Sequence, residues 1–144
     1  MILLGDKEYY KGIGKIKYEG KNSDNPLAFK YYNPNQIVAG KTMSEHFKFA
    51  VAYWHTFCGV GADPFGPGTQ NFPWDISNDP IQAAKDKADA AFEFITKMDF
   101  NYFCFHDYDL IQEAKSFSES EERLSTIVEY IKDKKIKSGV KLLW

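Results

Sequence analysis

The sequence lacks any run of about 18 apolar residues, so no membrane-spanning helix is predicted. It also lacks a basic surplus. Lys and Arg total 18 against 20 Asp and Glu, a net charge of −2, whereas a nucleic-acid binder would usually carry a basic excess or stripe. The N-terminus has no basic start and only a brief apolar opening, which argues against a signal peptide. Cysteine is scarce: Cys58 and Cys104 give neither a disulfide framework nor a zinc pattern. Without an export signal they read as reduced, buried core thiols of a cytoplasmic protein. No G-x-G-x-x-G, P-loop or nucleophile elbow occurs, and Gly12-x-Gly14 reads as a turn. Asp107 and Asp109 alone do not make a six-oxygen cation site. What the sequence has in quantity is rings: 17% of its 144 residues are Phe, Tyr or Trp.

Residues 1–41 are rich in Lys, Asn, Gly and Tyr, with turn signals at Ser23–Pro26 and Asn33–Asn35, and read as an irregular arm outside the core. Thr42 and Glu45 form a capping-box pattern that predicts a helix start, with His46 a solvated helix residue. The stretch Phe47–Cys58 is almost continuously apolar and fits a buried helix or a buried strand, its aromatic and β-branched content leaning to strand. Gly and Pro crowd residues 59–78 into a long loop, of the kind that is usually functional. A helix follows. Asp79 caps it, Pro80 takes the first position, Gln82 completes a capping box, and Ile81, Ala84, Ala88, Phe92, Ile95 and Met98 form its apolar face. Residues 100–105 read as a strand. A further helix carries Leu124, Ile127, Val128 and Ile131 inward and ends at Gly139, before a short buried strand over 140–144. Alternating strands and helices predict parallel βαβ units in an α/β fold.

In such folds ligands gather where strands end and loops begin. His106 stands at such an exit, and Asp109 three residues on can fix its tautomer. A surface histidine beside two solvated acids is the alternative. Trp54, His106 and Trp144 leave three predicted strands and can wall one cleft, or serve as ordinary core aromatics. Cys58 with His55 makes no convincing nucleophile pair, because no acid is placed to orient the imidazole.

Several stretches resemble one family. Asn25-Pro26-Leu27-Ala28-Phe29-Lys30-Tyr31-Tyr32-Asn33-Pro34, Ala52-Tyr53-Trp54-His55-Thr56-Phe57, Asp63-Pro64-Phe65-Gly66, Tyr102-Phe103-Cys104-Phe105-His106-Asp107 and Lys141-Leu142-Leu143-Trp144 are similar to xylose isomerase. The long arm resembles that of its larger subclass, class II. The resemblance implies a TIM (β/α)8 barrel, of which 42–144 would be the N-terminal part. Lys48–Phe57 would be the first strand, 100–106 the second and 140–144 the third, with two helices between them.

It further implies isomerisation of D-xylose to D-xylulose, and in many members of D-glucose, by a hydride shift assisted by two divalent metals (Mg, Mn or Co). His106 would bind the sugar ring oxygen and aid ring opening, with Asp109 holding its other nitrogen. Trp54 and Trp144 would form apolar walls, and Phe65 would reach a neighbouring subunit of a cytoplasmic homotetramer. The family's metal ligands and catalytic lysine come from later strands, so no metal ligand is expected in this chain. The subclass often has an Arg and then Ile-Ala-Pro-Glu-Gly where this chain has Tyr108 and Leu110-Ile111-Gln112-Glu113-Ala114. A (β/α)8 barrel takes about 250 residues, so 144 supply roughly three strands and two helices of one, and the chain alone is expected to be inactive. The alternative is a non-catalytic module that self-associates or binds sugar.

Overall fold

A computed structural model describes residues 4–144, so the first three positions of the predicted arm lie outside the described residues. The arm is irregular, as expected, until a two-stranded hairpin of β1 (Ile37–Val38) and β2 (Lys41–Thr42). Ala39 and Gly40 turn it, both with positive φ, the backbone that a tight hairpin needs. Thr42 then caps α1 (Met43–His46), and the capping box with Glu45 is formed. His46 is exposed but not simply solvated: its Nε2 donates to the Val38 carbonyl at 2.8 Å and ties α1 to the hairpin.

The apolar run after α1 is strand and helix in succession. β3 covers only Ala50–Ala52, and α2 (Tyr53–Phe57) follows at once. The expected strand over Lys48–Phe57 is thus corrected. Tyr53 and Phe57, four apart, bury together with ring centroids 5.1 Å apart, which helical spacing permits and a strand would not. Residues 59–78 form no helix or strand, but they include a turn bridged between Asp63 and Gly66 and a second turn closed by the Asp75 amide on the Phe72 carbonyl. The loop is nevertheless anchored. Trp74, which the sequence reading passed over, is buried, stacks on Phe72 and donates its indole N–H to the Phe57 carbonyl.

The helix α3 (Pro80–Lys97) begins as expected, with the Asp79 carboxylate accepting from the Ile81 amide and Pro80 at the first position. Gln82 does not complete a capping box; its amide donates along the helix to Asp86 instead. After α3 come β4 (Tyr102–Cys104), α4 (Asp107–Leu110), α5 (Phe117–Ser138) and β5 (Lys141–Leu142). α5 is capped by Ser116 and closed by Gly139 in the left-handed conformation. The predicted third strand is shorter than 140–144 and largely exposed, with only Val140 buried, because β5 lies on the open edge of its sheet.

β3, β4 and β5 pair in parallel in sequential order, Val51 opposite Phe103 and Phe103 opposite Leu142. This is the expected βαβαβ order. Among the described residues the sheet stays open, and the mixed α/β structure forms no closed barrel. α3 packs on α5, and Phe92 meets Phe103 edge-on at 5.2 Å, so one face of the sheet holds the core. No helix of the described residues is long and apolar enough to cross a membrane.

The arm is more than an outlier. Leu4, Tyr9 and Tyr10 pack on the core, and Glu93 of α3 accepts from the Tyr9 and Tyr10 amides at 2.7 and 3.0 Å. Lys97 bridges Glu8, Glu93 and the Tyr10 carbonyl. A second buried pair, Lys134 with Asp89, joins α5 to α3 and also holds the Leu4 carbonyl.

Candidate functional site

Because the three strands run parallel, their C-terminal ends open on one edge. From β3 the chain turns into α2, which begins with Tyr53 and Trp54. From β4 it passes through Phe105 to His106, which caps α4. From β5 it reaches Trp144. The structure brings these three side chains together: ring centroids lie 4.6 Å apart for Trp54 and His106, 5.6 Å for Trp54 and Trp144, and 5.8 Å for His106 and Trp144.

Asp109 is the polar partner of the group. Its Oδ2 accepts from the His106 amide at 2.7 Å and lies 3.0 Å from His106 Nδ1. The carboxylate side chain is 11% exposed, while the imidazole is 55% exposed. A carboxylate on Nδ1 places the ring hydrogen there, so the neutral ring offers a lone pair at Nε2 and the cationic ring a donor. The arrangement can therefore exchange a proton with a bound hydroxyl or ether oxygen. The two indoles beside it supply apolar faces of the kind that sugar C–H groups contact.

Phe65 does not join the group. It sits at the tip of the Asp63–Gly66 turn, 96% exposed, with its amide bonded to the Asp63 carboxylate. Two clefts of the described residues lie elsewhere. One cleft lies between the arm and the start of the sheet, lined by Phe29, Tyr32, Phe49 and Tyr102. Another lies beside Lys97 and Val140. The aromatic group stands open at the C-terminal ends of the strands, with Trp144 60% exposed and the His106 side chain 55% exposed. Among the described residues no group of three or more His, Cys, Asp and Glu side chains is placed to hold a metal ion. These residues therefore do not fit the two divalent metals that the resemblance implies.

Two contacts went unforeseen. Cys58, only partly buried rather than a core thiol, donates to the Asp109 carbonyl at 3.4 Å. Lys87 of α3 in turn approaches Cys58 Sγ at 3.6 Å. Burial pushes the Cys58 thiol up, with Lys87 opposing it. Burial likewise raises the Cys104 thiol. Both cysteines are free.

No family model matches the chain. It is 57% identical to xylose isomerase 2 of Xanthomonas campestris pv. campestris over 143 residues, which is 99% of this chain and 32% of that relative. Over the same shares it is 56% identical to xylose isomerase 1 of that organism. To the xylose isomerase of Xanthomonas oryzae pv. oryzae it is 54% identical, again over those shares. The chain thus spans about a third of the length of these curated relatives, and its sequence is similar to an N-terminal portion of xylose isomerase.

Proposed function

We propose that the chain supplies the sugar-ring-binding part of a class II xylose isomerase, a cytoplasmic homotetramer that converts D-xylose to D-xylulose and also accepts D-glucose. The observation that carries this reading is the His106–Asp109 pair set between two indoles at one sheet edge. The similarity to xylose isomerases supports the choice of substrate.

In this reading Trp54 and Trp144 bind the apolar face of the pyranose and exclude water from it. The cationic His106 ring donates from Nε2 to the ring oxygen. As the bond from that oxygen to C1 breaks, the oxygen takes the proton and C1 becomes the aldehyde carbon. The C1 hydroxyl proton leaves to solvent, and the neutral imidazole keeps its Nδ1 hydrogen on Asp109. Asp109 stabilises the cationic ring before transfer and holds its direction throughout. The hydride shift between C1 and C2 that follows in the family belongs to metal-assisted chemistry, and no residue of this chain is assigned to it.

The test is tryptophan emission during titration with D-xylose. A saturable change at millimolar sugar, lost in Trp54→Ala and in His106→Ala, is the expected result. An emission unchanged by sugar removes the proposal.

A further inference from the structure

Asp109 orients His106, so whatever holds Asp109 sets the imidazole. Asp109 lies in α4, which is one turn long, and a lone helical turn does not hold its own shape because nucleation costs more than its few hydrogen bonds return. Leu110 and Ile111 anchor the turn in the core. Its polar tether comes from a distant part of the sequence. Cys58, the residue that ends α2, donates its thiol hydrogen to the Asp109 carbonyl. That carbonyl stands at the C-terminal end of α4, where helical carbonyls lack partners of their own. Among the described residues this is the one hydrogen bond between the turn carrying Trp54 and the turn carrying His106. The Lys87 ammonium donates to the same sulfur, which leaves the thiol hydrogen directed at the carbonyl.

We infer that Cys58 is a positioning residue: its thiol, held by Lys87, fixes the Asp109 turn against the Trp54 turn and so sets the tautomer and direction of the His106 ring. It acts through Asp109 and touches no reacting atom. The inference rests on the roles of His106 and Asp109 proposed above and deepens them. A thiol is a weak donor, so its expected effect is on orientation more than on stability. Sequence spacing gives no sign of this link, since Cys58 and Asp109 are 51 residues apart.

The experiment reads the His106 ring nitrogens by NMR in the 144-residue chain and in Cys58→Ser, Cys58→Ala, Lys87→Met and Asp109→Ala variants, with far-UV circular dichroism to check folding. The parent chain is expected to hold its neutral-ring hydrogen on Nδ1. Cys58→Ser keeps that state, because a hydroxyl can donate in place of the thiol. Cys58→Ala loses Nδ1–H as the major tautomer, and Lys87→Met moves in the same direction. Should Cys58→Ala fail to fold, Lys87→Met against Cys58→Ser carries the comparison, since Lys87 acts here only through the sulfur. A folded Cys58→Ala or Lys87→Met chain with the parent tautomer overturns the inference. An unchanged ring in Asp109→Ala overturns the His106–Asp109 pairing beneath it. A clear Cys58 effect in a chain that ignores D-xylose sinks the sugar reading while leaving the positioning role intact.

Discussion

At Glu93 a carboxylate with 8% of its side chain exposed accepts two backbone amides from the arm and an ammonium from Lys97. Burial works against its charge, yet those partners outweigh it and hold the carboxyl below its ordinary 4.5. Burial also works against the Lys97 charge, and Glu93 and Glu8 outweigh it to hold the ammonium above its ordinary 10.5. A carboxyl held low in the folded state contributes stability that is full above 4.5 and lost as pH falls through its lower folded value. An ammonium held high contributes stability that is full below 10.5 and lost as pH rises through its higher folded value. Protection of the Tyr9 and Tyr10 amides against hydrogen exchange should therefore hold across that window and fall at both ends. Glu93→Gln leaves a buried cation short of its partner and should cost about 3–5 kcal/mol in urea unfolding. A variant as stable as the parent would contradict the anchoring role.

Single residues were unequally readable from sequence. His106 and Trp54 could be picked out because an apolar strand leads into each. Asp89, Glu93, Lys97 and Lys134 could not, because a buried charge looks like a surface one until its partner is known. Here the partners lie in the arm and on another helix.

Among the elements, the two long helices carry their boundaries in their caps. Asp79→Ala removes the side-chain bond to the Ile81 amide and should destabilise the chain by about 1 kcal/mol. Gly139 closes α5 at φ 75°, a conformation that costs a residue with a Cβ about 1–2 kcal/mol, so Gly139→Ala should lower the unfolding midpoint to a comparable or greater degree. A thermal or urea midpoint unmoved by either substitution would show that these ends are held by packing alone. The strands were harder to delimit. Phe47–Cys58 is almost continuously apolar, and only the pairing of Ala50–Ala52 with Tyr102–Cys104 divides it into strand and helix. Such pairing is a long-range event, invisible to a local pattern. The exposure of β5 has the same origin: Leu142, Leu143 and Trp144 are apolar in sequence, but β5 is an edge strand and they remain 40%, 45% and 60% exposed.

At the scale of the whole molecule, the parallel order of β3, β4 and β5 brings residues 54, 106 and 144 to one edge. The sequence leaves that juxtaposition open beside ordinary core aromatics, and the ring contacts bring the three together. The chain offers a histidine, its carboxylate and two indoles, with no metal-binding group among the described residues. Incubated with D-xylose and Mg²⁺ or Mn²⁺, it should form no D-xylulose, and ketose formation above a chain-free control would contradict that division of labour. The ring-handling role itself is tested most directly by following the His106 ring nitrogens by NMR as D-xylose is added. The account predicts a saturable shift of Nε2, with Nδ1 still held by Asp109, that disappears in Trp54→Ala. Ring nitrogens that stay in place at saturating sugar would contradict it.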